Sequence, residues 1–113
     1  MEVRAPLASD LPRVHALLCA NGGAPRVGDE AKLARLLVSS RSLVAVEGEA
    51  IVGFVRAVTD GVSNGYLSMV VVAPDHQRQG IGSRLVREMM GSDAGITWVL
   101  RASRSGARWR LPG

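Results

Sequence analysis

A single cysteine, Cys19, permits no internal disulfide and has no companions at metal-ligand spacing. A single lysine, Lys32, removes the nucleotide-triphosphate loop from consideration, because that loop needs Gly-x-x-x-x-Gly-Lys followed by Ser or Thr. Aromatic residues make up only 4% of the chain, too few for base-stacking platforms. The net charge of +4 is carried almost wholly by arginine, and the arginines are scattered rather than clustered. Scattered charge without aromatic interleaving weighs against nucleic acid as a partner and suits a solvated surface with attraction for an anionic ligand. No apolar run approaches the roughly 20 residues of a membrane-spanning helix, and Met-Glu-Val-Arg-Ala-Pro lacks the apolar core of a signal peptide. The expectation is a cytoplasmic protein without membrane contact.

What is present is a chain of 113 residues with 47% hydrophobic content, enough for one well-packed domain. Its most informative stretch runs from Tyr66 to Met90 and reads as strand, loop, helix. Leu67–Val72 is a short apolar run rich in β-branched residues, the pattern of a strand buried on both faces, and Pro74-Asp75 stops it. Ile81, Leu85, Val86 and Met89 then recur at the spacing of a helical stripe that packs back onto a sheet. The loop therefore feeds a helix N-terminus, where N–H groups without intrahelical partners and a partial positive charge suit an anion. Gly80 and Gly82 would let a diphosphate approach the main chain, and Arg78 and Arg84 would add charge. A lone Gly-x-Gly is also compatible with a purely structural turn. The dinucleotide fingerprint is excluded, since a third glycine and an acidic residue about 20 positions on are both missing.

The rest of the chain supplies elements around this unit. Glu2–Ala5 reads as a first strand, and Ser9 or Asp10 as the cap of a helix to about Ala20, with Pro12 in its first turn. His15 and Cys19 on that helix read as structural. Asn21-Gly22-Gly23 closes it, and a second helix starts near Asp29-Glu30 and ends at Ser39-Ser40. Leu43–Val46 and Ala50–Thr59 read as a hairpin around Glu47-Gly48-Glu49, and Asp60-Gly61 and Asn64-Gly65 as further turns. Ile96–Leu100 follows a helical crossover and should lie parallel to the Leu67–Val72 strand. The fold class is α/β with a mixed, mostly antiparallel sheet flanked by helices.

Gln77-x-x-Gly80-x-Gly82 behind a Val-Val-Val-Ala-Pro-Asp strand end resembles motif A of the GNAT superfamily of N-acetyltransferases. The resemblance covers residues 1–102 as one acetyl-CoA-binding domain and leaves 103–113 as a short Arg-rich tail. The family's C-terminal helix and last strands are not recognisable, which reads as C-terminal shortening. The resemblance implies acetyl-coenzyme A as cofactor, its diphosphate held by the main chain of Arg78, Gln79, Gly80, Ile81, Gly82 and Ser83. It implies a pantetheine arm paired with the main chain of Val70, Val71 and Val72 in the manner of an added strand, with the Val70 N–H at the reacting carbonyl. It further implies direct acetyl transfer to a small-molecule or peptide amine, and Asn21–Gly28, carrying Arg26, as a border of the acceptor site.

The catalytic residues are not identified by the resemblance. Where the family often has an acidic base, the strand reads Tyr66-Leu67-Ser68-Met69; Asp60 and Glu49 are alternatives from neighbouring turns, where charged residues are usually just solvated. No tyrosine follows the crossover strand to serve as the acid, and turnover should be slow. A non-catalytic acyl-CoA-binding or partner module derived from such an enzyme is the alternative. The apolar Ile96–Leu100 strand, with no later strand to cover its edge, leads to the expectation of a homodimer.

Overall fold

A computed structural model describes residues 1–21, 27–91 and 95–100, with Leu100 described by its main chain alone. Gly22–Arg26, Ser92–Ala94 and the tail from Arg101 lie outside the described residues, and with them most of the expected acceptor loop. The order of elements is β1 (Glu2–Arg4), α1 (Leu11–Ala20), α2 (Glu30–Val38), β2 (Arg41–Glu47), β3 (Ala50–Thr59), β4 (Asn64–Val72), α3 (Ile81–Met90) and β5 (Thr97–Leu100). Short 3-10 turns at Ala8–Asp10 and Pro74–His76 lead into α1 and into the loop before α3.

The five strands lie in sequence order, β1-β2-β3-β4-β5, antiparallel except for the parallel β4–β5 pair. This is the mixed, mostly antiparallel sheet that the sequence implied. The helix between β4 and β5 makes the crossover that a parallel pair requires. α1 and α2 cover one face through Val14, Leu18, Leu33, Phe54 and Met69, and α3 covers the other through Val55, Leu67, Leu85, Val86 and Met89. Each fully buried side chain of this size contributes roughly 1.5–3 kcal/mol relative to exposure. No helix among the described residues is long and apolar enough to cross a membrane.

Local chemistry explains the element ends. The two-residue turn Gly48-Glu49 joins β2 to β3, and Gly48 takes the φ of +61° that such a turn requires. The Asp29 carboxylate accepts from the Lys32 N–H at 2.8 Å and caps α2. Ser39 and Ser40 return their hydroxyls to the carbonyls of Arg35 and Leu36 at its end.

Two features of β4 differ from the sequence reading. Asn64-Gly65, which has turn composition, begins the strand. Gly65 pairs with Trp98, and a Cβ there would lie 2.4 Å from carbons of the indole ring, so the glycine serves close ring packing rather than a turn. Tyr66 accordingly falls inside the strand. Burial on both faces also holds only for Leu67, Ser68 and Met69; Val70, Val71 and Val72 are half-buried. The described β5 pairs with Asn64–Leu67 alone, and no described strand pairs with the far half of β4 on that side.

Asp10 differs from a simple helix cap. No side-chain cap bond is present at the start of α1; the carboxylate is fully buried and accepts from Arg4 Nη1 (2.6 Å), the Leu7 N–H (2.7 Å) and Arg13 Nη2 (2.9 Å). It ties β1 to α1, and Arg13 also donates to the Glu49 carbonyl of the β2–β3 turn. The hydrogen bond from Arg4, then that from Leu7, holds the Asp10 carboxyl at about 2, below its ordinary 3.8. A depressed carboxyl stabilises the fold fully above its unfolded pKa and loses that contribution as pH falls through the folded one. The stability difference between the parent and Asp10→Asn should therefore shrink by on the order of 1 kcal/mol between pH 5 and pH 2, after discounting for water around Arg13. Urea unfolding across that range is the measurement, and a pH-independent difference would contradict this.

Candidate functional site: the β4 end and the start of α3

The site is built where β4 leaves the sheet. Gly53 on β3 lies opposite Val72, and a Cβ on it would come 2.9 Å from Leu85 Cδ1 and 3.1 Å from Ile81 Cγ2. Its absence lets the first turns of α3 press onto the sheet beside the strand end. α3 begins after Gly80 (φ +79°, ψ 9°), and no side chain caps it. The Arg84 N–H donates to the Gly80 carbonyl at 3.0 Å, closing the first helical turn, and leaves the N–H groups of Ile81, Gly82 and Ser83 as the helix's orphan donors. A Cβ on Gly80 would meet nothing within 4 Å, so this glycine faces open space.

Arg78 has φ +66°, and among the described residues it alone takes a positive φ without being glycine. Left-handed residues close together in a loop favour the backbone concavities that hold anions, and here Arg78 and Gly80 flank Gln79. Arg78, Gln79, Gly80 and Ser83 are exposed, while Ile81 and Gly82 are buried against the sheet. Arg84 is engaged elsewhere, its Nε 2.8 Å from Glu88 Oε2 and its Nη1 3.4 Å from the Met1 carbonyl. Of the two arginines expected to add charge at the loop, Arg78 is thus the one not paired with a carboxylate among the described residues.

The strand edge adds a second feature. The Ala73 N–H donates to the Val52 carbonyl at 2.8 Å. Alternation along an antiparallel ladder then turns the main chain of Val71 towards Phe54 and that of Val70 and Val72 to the other edge. Among the described residues no strand pairs with that edge beyond Leu67. Of the three valines expected to offer main-chain groups to a ligand, Val70 and Val72 are the two whose groups face outward.

The ladder slips where β5 stops. Arg56 pairs with Met69 and Ala57 with Leu67, so Ser68 is the extra residue of a β-bulge. Ser68 is buried, and its hydroxyl accepts from Arg56 Nη1 at 3.0 Å, while Arg56 Nε donates to Ser40 Oγ at 3.0 Å. Arg56 lies on the α1–α2 face, opposite Met69. This polar group was not anticipated, although an arginine inside one apolar strand and a serine inside its neighbour were visible signals.

Asp60 and Glu49, the acids of the neighbouring turns, are poorly suited to take a proton. Asp60 accepts from the Ser63 N–H (2.8 Å) and hydroxyl (2.7 Å), the Val62 N–H (2.8 Å) and the Asn64 N–H (3.2 Å). Those bonds, the Ser63 main chain first, hold its carboxyl far below the usual carboxylate range. Glu49 is exposed in the β2–β3 turn. On α1, His15 Nε2 lies 2.7 Å from the Gly28 carbonyl and 3.5 Å from Cys19 Sγ, so the histidine pins the far end of the α1–α2 connection.

The described residues thus place an uncapped helix start beside a strand edge that no described strand covers beyond Leu67. Residues 38–109 match the acetyltransferase (GNAT) domain family, and the chain belongs to that family. Among solved structures, it is 30% identical to an acetyltransferase, a GNAT family protein, from Streptococcus pneumoniae, covering 93% of this chain and 76% of that one with a TM-score of 0.74. A GNAT-family structure from Xanthomonas campestris pv. campestris gives a TM-score of 0.78 at 22% identity, covering 93% and 77%. An aminoglycoside N-acetyltransferase in complex with coenzyme A gives 0.71 at 16% identity, covering 94% and 82%. The last two show likeness of fold. No curated protein matches the sequence.

The strained loop carries its own test. Arg78→Gly should raise the unfolding free energy by up to about 1 kcal/mol by relieving the left-handed backbone, and Gly80→Ala should lower it by about as much. Equilibrium unfolding of both variants is the measurement. Opposite signs are expected, and two losses of equal size would show that Arg78 carries no strain.

Proposed function

We propose that this chain is an acetyl-coenzyme A-dependent N-acetyltransferase acting on an amine by direct transfer in a ternary complex. The observation that carries the reading is the uncapped start of α3 behind left-handed Arg78 and Gly80, next to the outward main chain of Val70 and Val72. A diphosphate fits this cradle: the N–H groups from Arg78 to Ser83 would bind it, Arg78 would add charge, and the open space at Gly80 would admit it. The Val72 N–H and Val70 carbonyl suit a pantetheine amide, which leaves the Val70 N–H to stabilise negative charge on the reacting carbonyl oxygen.

Acetyl-coenzyme A supplies the acetyl group as a thioester: a bond forms from the amine nitrogen to the acetyl carbon as the carbon–sulfur bond breaks. An alkylamine of pKa about 10.4 is almost wholly protonated at pH 7 and must lose a proton before it attacks. The bulge offers Ser68 and Met69 and no carboxylate, and Asp60 is a weak base for the reason given above. Water is then the route for that proton, and turnover below about 1 per second is expected, beneath the usual enzyme range. The acceptor is a small-molecule or peptide amine, and a cytoplasmic setting suits a reaction fed by acetyl-coenzyme A.

Calorimetry of coenzyme A binding to the parent and to Gly80→Asp tests the cofactor half. Aspartate tolerates a positive φ and has room there, so the variant should fold while its carboxylate repels the diphosphate and weakens binding at least about tenfold. Equal affinity would refute the cradle. Acetyl transfer from acetyl-coenzyme A to an amine panel tests the other half; binding without transfer to any amine would favour the non-catalytic module.

A homodimer through β5 belongs to the same reading. Val58, Tyr66 and Val99 are cross-strand neighbours that form an apolar row, with Val58 46% and Val99 58% exposed. Such a row beside a strand edge suits a two-fold contact. Light scattering coupled to size exclusion at micromolar concentration should give twice the mass of one chain, and a monomer would contradict it.

A further inference from the structure

Gln77 opens the glycine motif, yet its side chain faces the sheet rather than the loop. Its Nε2 donates to the Val72 carbonyl at 3.1 Å across five residues of chain. That carbonyl is the last outward-facing acceptor of β4, because Ala73 turns back to Val52. An incoming chain that pairs with the edge like an added strand would present an amide N–H along the same direction. Gln77 already holds that carbonyl with its own amide.

Three outward groups are then left between the bulge and the loop: the Val72 N–H and both groups of Val70. An amide laid on them has one register. Sliding it towards the loop by one two-residue step, about 6.6 Å, would set its N–H against a carbonyl already held. The same hydrogen bond anchors residue 77, three positions before Gly80, to the strand end, and so fixes the distance between the anion cradle and the edge.

Resting on the reading of the site as an acetyl-coenzyme A site, we propose that Gln77 is a positioning residue. It holds the Val72 carbonyl and thereby sets the register of the pantetheine arm on β4. It does so without touching the reacting atoms, and what it requires of the side chain is a hydrogen-bond donor. Arginine would keep that donor, whereas glutamate would place a carboxylate against a carbonyl oxygen.

The test compares coenzyme A, which has the arm, with ADP, which has the diphosphate alone, on the parent, Gln77→Glu and Gln77→Arg. Gln77 is exposed, so the variants should fold, which circular dichroism checks. Gln77→Glu should weaken coenzyme A by about tenfold and leave ADP within about twofold, while Gln77→Arg restores coenzyme A to within about threefold. Hydrogen exchange supplies an independent readout: coenzyme A should protect the Val72 amide in the parent and in Gln77→Arg but not in Gln77→Glu. Equal losses for the two ligands would show that Gln77 only braces the loop and would overturn the inference. Unchanged coenzyme A binding in Gln77→Glu would overturn it as well. A parent that binds neither ligand would overturn the reading of the site itself, an outcome distinct from both.

Discussion

The close approach of α3 to the sheet is the constraint on which the rest of this structure depends. Side chains from Ile81 and Leu85 pack over Gly53 so closely that a Cβ there would come 2.9 Å from Leu85 Cδ1 and 3.1 Å from Ile81 Cγ2, and those side chains would have to shift. Because Gly53 lies opposite Val72, the approach brings the helix's positive end together with the edge of β4 that no described strand covers beyond Leu67. A typical sheet–helix separation would leave an anion site and a strand edge as unrelated features. Here they are adjacent, and a single elongated ligand can engage both.

The two faces of the sheet divide the remaining labour. The α3 face is an apolar layer of branched and sulfur-containing side chains that holds the anion loop in position. The α1–α2 face carries the polar features: the Asp10 hub with its two arginines, the His15 clasp on Gly28 and the Ser40–Arg56–Ser68 group. A buried carboxylate is tolerable only because several donors converge on it, and removing one of them would leave the others aimed at a charge no longer balanced. That face therefore resists rearrangement near β1 and the β2–β3 turn.

The order and type of the elements were legible in the sequence because each rests on local signals: β-branched runs, an apolar helical stripe, and Gly48 and Asp29 at element ends. The glycine loop was legible for the same reason, since the strand, the Pro-Asp stop and the helix stripe are contiguous. What escaped depends on contacts distant in the chain. Asn64-Gly65 has turn composition, and only the ring of Trp98, more than thirty positions on, makes it a strand. Arg84 sits one turn into α3, where sequence alone suggests an anion partner, yet Glu88 one turn further along takes it. The bulge at Ser68 needs two strands in register before it exists, and the outward turn of Val70 and Val72 but not Val71 needs the Ala73–Val52 bond to set the phase.

Arg78 sets stability and ligand affinity against each other within one residue. Its left-handed backbone favours replacement by glycine, whereas its guanidinium adds charge at the loop. Any regime that rewards heat tolerance alone, whether a laboratory screen or a long period without ligand, would drive this position towards glycine while the fold remains intact. On the proposed reading of the loop, selection for anion binding is what would keep the arginine, and a glycine here in a related sequence would mark a loop that traded affinity for stability.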